Sequence, residues 1–264
     1  MPENENGFYV ETENERQYLA GNWKKPSSVL GIHASSRAKR GATALFYDHL
    51  KAGMEKASAR VSTVHLAEKK FNPCSGCFKC WTQKLGHCPI QDDITELLAA
   101  IPDYDIMVLA TPLYIDGMSG LLKNFIDRSM FLNHPAVINH KGRCLHPCRF
   151  QSMPNLVLLG VCAYYEIEHF DPLVQHVEAL AVNMHMPLTA TLLRPETMSL
   201  MDRSAIPKLD VVKSAFEEAG EMIIKTGKIS DNLAGRVSAP FLSREKYFQN
   251  SKAWYKGQKK EKNG

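Results

Sequence analysis

Four of the chain's seven cysteines lie within fifteen residues, in the stretch CSGCFKCWTQKLGHC. They are Cys74, Cys77, Cys80 and Cys88, with the spacing C-x2-C-x2-C-x7-C. This run supplies the four thiolates that a [4Fe–4S] cluster needs. The same thiolates would also satisfy a tetrahedral zinc ion, although structural zinc sites use two paired knuckles more often than one tight run. A loop of reduced cysteines without metal is the third interpretation, and the residues alone leave all three open.

A second group of reactive residue types lies in HASSRAKRGAT, residues 33–43, directly after an apolar run. The stretch combines the hydroxyls of Ser35 and Thr43 with the cation of Arg37, a glycine at Gly41 and the start of a predicted helix. Hydroxyls, positive charge and free N–H groups are what a phosphate monoester requires. The stretch contains neither G-x-G-x-x-G nor G-x-x-x-x-G-K-[ST], so it predicts neither a dinucleotide fingerprint nor a P-loop. An ordinary polar loop is the alternative.

A third group follows another apolar run, in the stretch TPLYIDGMSG. Pro112 and Tyr114 predict a rigid turn with an aromatic wall, and Gly117 allows close approach of the backbone. Met118 would supply a soft apolar contact. Such a loop can lay amides along the polar edge of a planar ligand and an apolar wall against its ring. The alternative is a plain turn in which Tyr114 only packs.

Two further stretches have open interpretations. The aromatic residues of VCAYYE, residues 161–166, would either stack near the same ligand or form core and dimer contacts. A second cysteine and histidine group has metal-ligating residue types but no defined spacing, and we expect it to be structural or solvated. Its members are Cys144, His146 and Cys148, with His134 and His140 nearby.

Short apolar runs alternate with segments of helical periodicity along the chain. The runs predict strands at residues 29–32, 61–66, 106–110, 156–161 and 188–193. Nearly continuous apolar strands are typical of a sheet covered on both faces. The alternation therefore predicts an α/β fold with a doubly wound, five-stranded parallel sheet and helices on both faces. In such sheets, ligands bind beyond the carboxyl ends of the strands, where the loops above begin.

One of the predicted helices begins after the cysteine run. Its apolar positions are Ile94, Leu97, Leu98 and Ile101. Asp92 and Asp93 directly precede them and are expected to cap the helix.

The length of 264 residues and the hydrophobic content of 44% are sufficient for one large core. We expect a polar N-terminal extension, one main domain with two long loops, and a C-terminal extension with a basic tail. Their boundaries are 1–26 for the first extension, 27–236 for the domain, 73–90 for the cysteine-rich loop, 131–155 for an inserted loop and 237–264 for the second extension.

Composition argues against two classes of partner. A net charge of +4, spread along the chain, gives no strong attraction to nucleic acid or to a membrane surface. A signal peptide requires an apolar stretch, but the first residues are polar. No apolar run approaches the length of a membrane span. An odd number of cysteines without an export signal is typical of a reducing compartment. The sequence therefore predicts a soluble cytoplasmic protein.

The motifs resemble those of a known family. GIHASSRAKRGAT is similar to the phosphate loop G-S-P-R-x-x-G-N-T of the NADPH-dependent FMN reductase branch of flavodoxin-like proteins, and ATPLYIDGMSGLLKNFIDR closely matches that branch's flavin-ring loop. The cysteine run with the following PIQDDI resembles the iron–sulfur flavoprotein subgroup. The phosphate loop departs from the pattern at His33, Ala34, Ser36 and Ala42, and has one extra residue before Gly41.

The resemblance implies a flavodoxin-like oxidoreductase, a homodimer, that binds FMN. The implied phosphate ligands are Ser35, Arg37 and Thr43, and the implied ring contacts are Pro112, Leu113, Tyr114, Ile115, Gly117 and Met118. NAD(P)H would be the electron donor, an unidentified molecule the acceptor, and a [4Fe–4S] cluster on the four clustered cysteines a relay. No catalytic acid or base is implied, because the flavin carries the chemistry. The alternatives are a cluster-free quinone or nitro-compound reductase, a non-catalytic electron carrier and a zinc-stabilised binding module.

Overall fold

Five parallel strands form the central sheet of the protein, which a computed structural model describes over residues 23–140 and 142–261, the last five by backbone only. The predicted N-terminal extension lies outside the described residues as far as residue 22. The strands are β1 Ser28–His33, β2 Arg60–His65, β3 Ile106–Pro112, β4 Ile138–His140, β5 Arg143–Leu145, β6 Asn155–Val161 and β7 Leu188–Arg194. Strands β4 and β5 form a separate antiparallel hairpin within the predicted inserted loop.

The order of the main sheet is β2-β1-β3-β6-β7, with every neighbouring pair parallel. This confirms the predicted doubly wound sheet. Because the chain first moves outward from β1 to β2 and then returns to the other side of β1, the direction of winding reverses between β1 and β3. This is the flavodoxin-like order, whose ligand site lies at that reversal.

Helices cover both faces of the sheet. They are α1 Ala42–Lys56, α2 Lys79–Thr82, α3 Thr95–Ala99, α4 Gly120–Arg128, α5 Asp171–Asn183, α6 Ile206–Thr226, α7 Asp231–Ser238 and α8 Arg244–Glu261. Helices α1, α6 and α7 bury their apolar sides in one core, and α3, α4 and α5 do so in the other. Helices α1 and α6 pack closely because Gly53 of one lies against the Glu217 carbonyl of the other, and a side chain at Gly53 would overlap it. Within the described residues, no helix is both long and apolar enough to cross a membrane.

The helix predicted after the cysteine run is shorter than its apolar pattern suggested. It begins at Thr95 and ends at Ala99, and a 3-10 turn, Ile101–Asp103, follows. The Asp92 carboxylate lies 2.7 Å from the Arg128 guanidinium, so the charge expected at the helix start is used in an ion pair with another element.

The first part of the predicted C-terminal extension packs on the sheet. Arg194, at the end of β7, is fully buried and donates to the carbonyls of Val237 and Ala239, each at 2.8 Å. The buried Glu196 carboxylate accepts from the backbone N–H groups of Phe241 and Leu242 at 2.7 and 3.0 Å. These contacts fix the chain before α8.

Candidate functional site

Three loops meet beyond the carboxyl ends of β1, β3 and β6. The Ala34 N–H donates to the Ala110 carbonyl at 2.8 Å, and the Ser119 hydroxyl donates to the Ala34 carbonyl at 2.7 Å. On the other side, the Leu113 N–H donates to the Val161 carbonyl at 2.8 Å. These short bonds hold the loops at the reversal point of the sheet, where the topology places a ligand.

The loop after β1 brings together the predicted phosphate ligands. Ser35 is buried, and its hydroxyl accepts from the Arg37 N–H at 3.2 Å. The Arg37 side chain folds back over Gly41, where an added Cβ would lie 3.3 Å from its Cδ. Gly41 has φ 95° and directly precedes α1, in whose first turn Thr43 is buried. A cation, two hydroxyl residues and a helix N-terminus thus converge, which fits a phosphate group.

The loop after β3 contains a tight turn from Tyr114 to Gly117. The two residues exchange backbone hydrogen bonds of 3.0 and 3.2 Å, and the central residues Ile115 and Asp116 have φ of 48° and 56°. A β-branched residue in this region is strained. Ile115 is nevertheless 98% exposed, and Tyr114 is 51% exposed. The turn is strained and exposes two large side chains, Tyr114 and Ile115, to solvent. Such a surface is suited to cover the face of a planar ligand.

The predicted ring contacts differ in accessibility. Leu113 and Gly117 are half-buried, whereas Pro112 and Met118 are buried below the turn. Tyr114 and Ile115 are therefore the side chains that can reach a ligand, and Pro112 and Met118 support the turn from beneath.

The loop after β6 adds an aromatic side chain beside the turn. Tyr164 is 56% exposed, and its ring lies 4.6 Å from the His169 ring at a tilt of 37°. His169 Nδ1 in turn lies 3.7 Å from Asp116 Oδ1. Tyr165 instead packs 5.5 Å from the Tyr247 ring, a contact with the C-terminal segment. The two interpretations of VCAYYE therefore apply to different residues. Tyr164 is placed to lie near a ligand, whereas Tyr165 forms a packing contact.

Arg128, the last residue of α4, holds both ends of the cysteine segment. Its side chain is fully buried and donates to the Asn72 carbonyl at 2.8 Å and to the Ile90 carbonyl at 3.1 Å. It also pairs with the Asp92 carboxylate. Burial alone would raise the pKa of Asp92, but hydrogen bonds from the Arg128 guanidinium and the Asn72 N–H hold that pKa below its usual range. The clamp closes the loop that carries the four thiols.

All four thiols of this segment are free, and Cys80 is the buried member. Burial raises the pKa of the Cys80 thiol, and the charges of Cys88, Cys74 and Cys77 raise it further. Within the described part of the chain, no three His, Cys, Asp or Glu side chains have a geometry that would hold one metal ion. Four cysteine thiols are a donor set that both a [4Fe–4S] cluster and a structural zinc ion use.

The inserted loop packs against the cysteine segment. The Trp81 indole N–H donates to the carbonyls of Met130 and Asn133 at 3.2 and 3.0 Å, and its ring packs 4.6 Å from the tilted ring of His146. His146 therefore has a packing role. Cys144 is exposed on the hairpin, and among the described residues it is in no group of three or more side chains that could hold a metal ion.

A comparison with known families finds a match to the segment that contains the loops after β1 and β3. The sequence profile described as NADPH-dependent FMN reductase matches residues 27–145. The match covers less than half of the chain, so it is a similarity of residues 27–145 to this family, and we call them the FMN reductase segment. This FMN reductase segment contains the loops after β1 and β3 and the cysteine segment, and it ends with β5.

Curated relatives of the FMN reductase segment include two iron–sulfur flavoproteins. That of Methanocaldococcus jannaschii is 38% identical over 101 residues, which are 38% of this chain and 51% of the relative. One from Archaeoglobus fulgidus is 32% identical over 113 residues, 43% of this chain and 50% of the relative. The chain thus spans about half the length of the curated relatives it matches.

Solved structures show the same fold outside the FMN reductase segment as well. An FMN-dependent NADH-azoreductase from Bacillus anthracis in complex with FMN has a TM-score of 0.56 at 11% identity, covering 75% of this chain and 99% of that one. An NAD(P)H:quinone oxidoreductase from Methanothermobacter marburgensis has a TM-score of 0.55 at 10% identity, covering 75% and 96%. At these identities the likeness establishes the flavodoxin-like fold.

Three residues that position the loop after β1 or the cysteine segment were not identified from the sequence. Ser119 caps α4 by accepting from the Leu122 N–H at 3.3 Å while it bonds to the loop after β1. A serine directly before a helical pattern is a recognisable signal for such a cap. Arg128 and Trp81 gave no such signal, because their partners lie tens of residues away in the sequence.

Proposed function

We propose that the protein is an FMN-dependent oxidoreductase that takes electrons from NAD(P)H and passes them through the flavin to an acceptor. The observation that carries this proposal is the strained Tyr114–Gly117 turn, which presents Tyr114 and Ile115 to solvent at the reversal point of the sheet. An exposed apolar wall beside a phosphate-type loop is the arrangement that a phosphorylated planar cofactor requires.

The chain's own residues would bind and orient the cofactor. Ser35, Arg37 and Thr43 would hold its phosphate, and the Tyr114–Gly117 turn and Tyr164 would flank its ring. The flavin supplies hydride and electron transfer when bound. The printed names of the relatives and fold neighbours, which include iron–sulfur flavoproteins, an azoreductase and a quinone oxidoreductase, support this class of reaction.

Flavin uptake and reduction test the proposal. Purified protein should bind one FMN per chain, and NADH or NADPH should bleach the flavin absorbance rapidly under anaerobic conditions. Bleaching only through an added reductase would favour a non-catalytic electron carrier. Protein that neither contains flavin nor takes up added FMN would exclude the function altogether.

We further propose that Cys74, Cys77, Cys80 and Cys88 hold a [4Fe–4S] cluster. The support is the C-x2-C-x2-C-x7-C run of free thiols in a loop whose two ends Arg128 holds, together with the printed names of the iron–sulfur flavoproteins that match this segment. Serine at any of the four positions should deplete iron, sulfide and the broad visible absorbance while FMN stays bound. Cys144→Ser is the matched control, because that exposed cysteine lies outside the run.

Metal analysis separates the cluster from its alternatives. Zinc that is released by the same serine substitutions, without any visible change, would support the zinc interpretation. Less than about one iron per chain, even after anaerobic reconstitution with iron and sulfide, would leave a cluster-free quinone or nitro-compound reductase.

We also propose that the protein forms a homodimer. Large apolar side chains are exposed on α8 and on the 3-10 turn Thr197–Met201 beside it, including Trp254 at 49% and Met201 at 65%. Light scattering of the purified protein should give twice the mass of the chain, and a monomer at micromolar concentration would contradict this.

A further inference from the structure

A pair of histidines lies beneath the loop after β1, and the proposed function gives it no role. His33 is the last residue of β1 and lies opposite His65, the last residue of β2. The two ring centroids are 4.9 Å apart, with the ring planes tilted by 55°. His33 is completely buried, whereas His65 is half-buried. A side chain type that titrates near neutral pH is thus enclosed next to the loop that would hold a phosphate.

Three nitrogen atoms of this His33–His65 pair have no hydrogen-bond partner. Among the described residues, nothing bonds to either ring nitrogen of His33 or to Nδ1 of His65, and all three atoms are buried. Buried polar atoms in folded proteins are nearly always hydrogen-bonded, and an unpaired group points to strain, a ligand or a functional role. We therefore expect the pair to gain a partner when the neighbouring site binds its ligand.

The groups that face His33 from α1 and from the neighbouring strands are uncharged. The Tyr47 ring centroid of α1 lies 5.9 Å from that of His33, and the Tyr47 hydroxyl lies 2.8 Å from the Thr63 hydroxyl of β2. Burial raises the pKa of Tyr47 to about 12, so Tyr47 remains neutral. Ala110 of β3 is the neighbour on the other side. These elements therefore supply no anion that would charge the His33 ring.

The charged groups nearest in the fold belong to the loops above the pair. Arg37 is in the loop after β1, and Lys39 of the same loop pairs with Glu68 after β2 at 3.5 Å. Within the described part of the chain, neither histidine of the pair forms an ion pair with a carboxylate. Burial, with a smaller effect of His65, lowers the pKa of His33 to about 4, although its own backbone carbonyl favours the charged ring. His33 is therefore neutral at pH 7 in FMN-free protein.

The pair lies next to two of the proposed phosphate ligands. Ser35 follows His33 by two residues, and the chain stays bonded to β3 for one residue beyond His33. Residues two apart in an extended chain point to the same side, so His33 and Ser35 both face α1. Thr43 precedes Tyr47 by four residues, so these two buried side chains share one face of α1. A phosphate held by Ser35 and Thr43 would therefore lie close to the His33 ring.

We propose that His33 takes up a proton when a phosphate dianion binds in the loop after β1, and that this buried cation makes the site specific for a phosphorylated flavin. The inference rests on the proposed function for the identity of the ligand. Neutral imidazole, one proton and the dianion give an imidazolium–phosphate pair, and no electrons are exchanged. The second ring N–H would donate to the unpaired Nδ1 of His65. In a buried site the dianion favours the charged ring, whereas riboflavin has no charge that could do so.

Proton uptake on binding tests this coupling. Full-length FMN-free protein is titrated calorimetrically with FMN or riboflavin at about pH 7.5, in two phosphate-free buffers that differ in ionisation enthalpy. The phosphate of free FMN, with a second pKa near 6, is already a dianion there. We expect uptake of about one proton with FMN and none with riboflavin. FMN affinity should consequently fall as the pH rises towards about 9, because binding then has to take its proton from a less acidic solution.

Variants and spectroscopy assign the proton to His33. His33→Gln should abolish the uptake and lower FMN affinity at least about tenfold, without changing riboflavin affinity. The matched control is His49→Gln on α1, whose ring lies 2.7 Å from Glu217 and outside the pair, and it should keep the uptake. NMR of the parent protein with 15N-labelled histidine needs no variant, since the number of charged histidines should increase by one when FMN binds.

Three results would overturn the coupling. They are FMN binding whose heat does not depend on the buffer, an equal proton uptake with riboflavin, and the same uptake in His33→Gln as in the parent. Each leaves the proposed function intact if NAD(P)H still bleaches the bound flavin. Uptake with FMN but no bleaching by NAD(P)H would instead contradict the oxidoreductase function and leave the coupling in place. A protein that binds no FMN would contradict both.

Discussion

The flavin loops and the cysteine segment are held in place by different means. The loops after β1 and β3 are short continuations of buried strands, fixed by backbone hydrogen bonds such as that from Leu113 to Val161. The cysteine segment has only a four-residue helix, Lys79–Thr82, and its shape depends on the side chains of Arg128 and Trp81.

Because the two regions are held by different contacts, we expect substitutions in each of them to have different effects. Backbone bonds next to a parallel sheet persist as long as the sheet does, so substitutions in the flavin loops should alter ligand binding and strain more than folding. A segment held by the side chains of Arg128 and Trp81 loses an anchor in a single substitution. Stability and cofactor retention should therefore respond separately in the two regions.

The largest expected effect is that of Arg128→Leu. The substitution leaves the Asp92 carboxylate, only 7% exposed, without its partner. Truncating one member of a buried ion pair costs about 3–5 kcal/mol. The free energy of unfolding of FMN-free protein, measured in urea, should fall by that amount, and iron retention should fall with it.

The controls for Arg128 lie on the same helix. Lys123→Ala removes an exposed pair with Asp127 and should cost less than about 1 kcal/mol. Arg128→Lys keeps the charge but not the fork of donors, so it should fold and still bind FMN while losing iron. A loss of FMN affinity equal to the loss of iron would show that the two regions are not independent.

The second effect concerns the proposed phosphate site in the loop after β1. Arg37→Ala removes the cation that folds over Gly41, and a charge-assisted hydrogen bond to phosphate is worth about 1.5–3 kcal/mol. FMN affinity should drop by roughly 10- to 100-fold, whereas riboflavin affinity should change little. Arg40→Ala is the matched control. Equal losses for FMN and riboflavin would remove Arg37 from the phosphate site.

The same contrast explains what the sequence could predict. Strand runs such as Ile106–Pro112 and the residues directly after them are local signals, so the sheet and the positions of the loops after β1 and β3 followed from the pattern. The clamp between Arg128 and Asp92 joins residues 36 positions apart, and the fully buried Arg128 looks like a solvated residue in the sequence. Asp92 was consequently expected to cap a helix. Tertiary pairing of this kind has no local signature.

A third effect concerns the pH dependence of the free energy of unfolding of FMN-free protein, through His33 at the end of β1. Burial, with a smaller contribution from His65, lowers the pKa of His33 to about 4, whereas an unfolded histidine titrates near 6.5. The unfolded chain therefore binds more protons between these values, and the free energy of unfolding should fall by about 2 kcal/mol from pH 7 to pH 5. His33→Leu should flatten this dependence in urea titrations. The same pH dependence in His33→Leu as in the parent protein would contradict this assignment.

The smallest effect tests the strain in the ring turn. Ile115 occupies φ 48°, where asparagine is far better tolerated than a β-branched residue. Ile115→Asn should raise the free energy of unfolding of FMN-free protein by about 1 kcal/mol and should weaken FMN, because the apolar contact is lost. Ser58→Asn is the matched control, since Ser58 has φ 73° in an exposed turn after α1. It should change stability without changing FMN affinity. If Ile115→Asn stabilises the protein and binds FMN as well as the parent does, the strained turn does not contact the flavin, and the ring site must lie elsewhere.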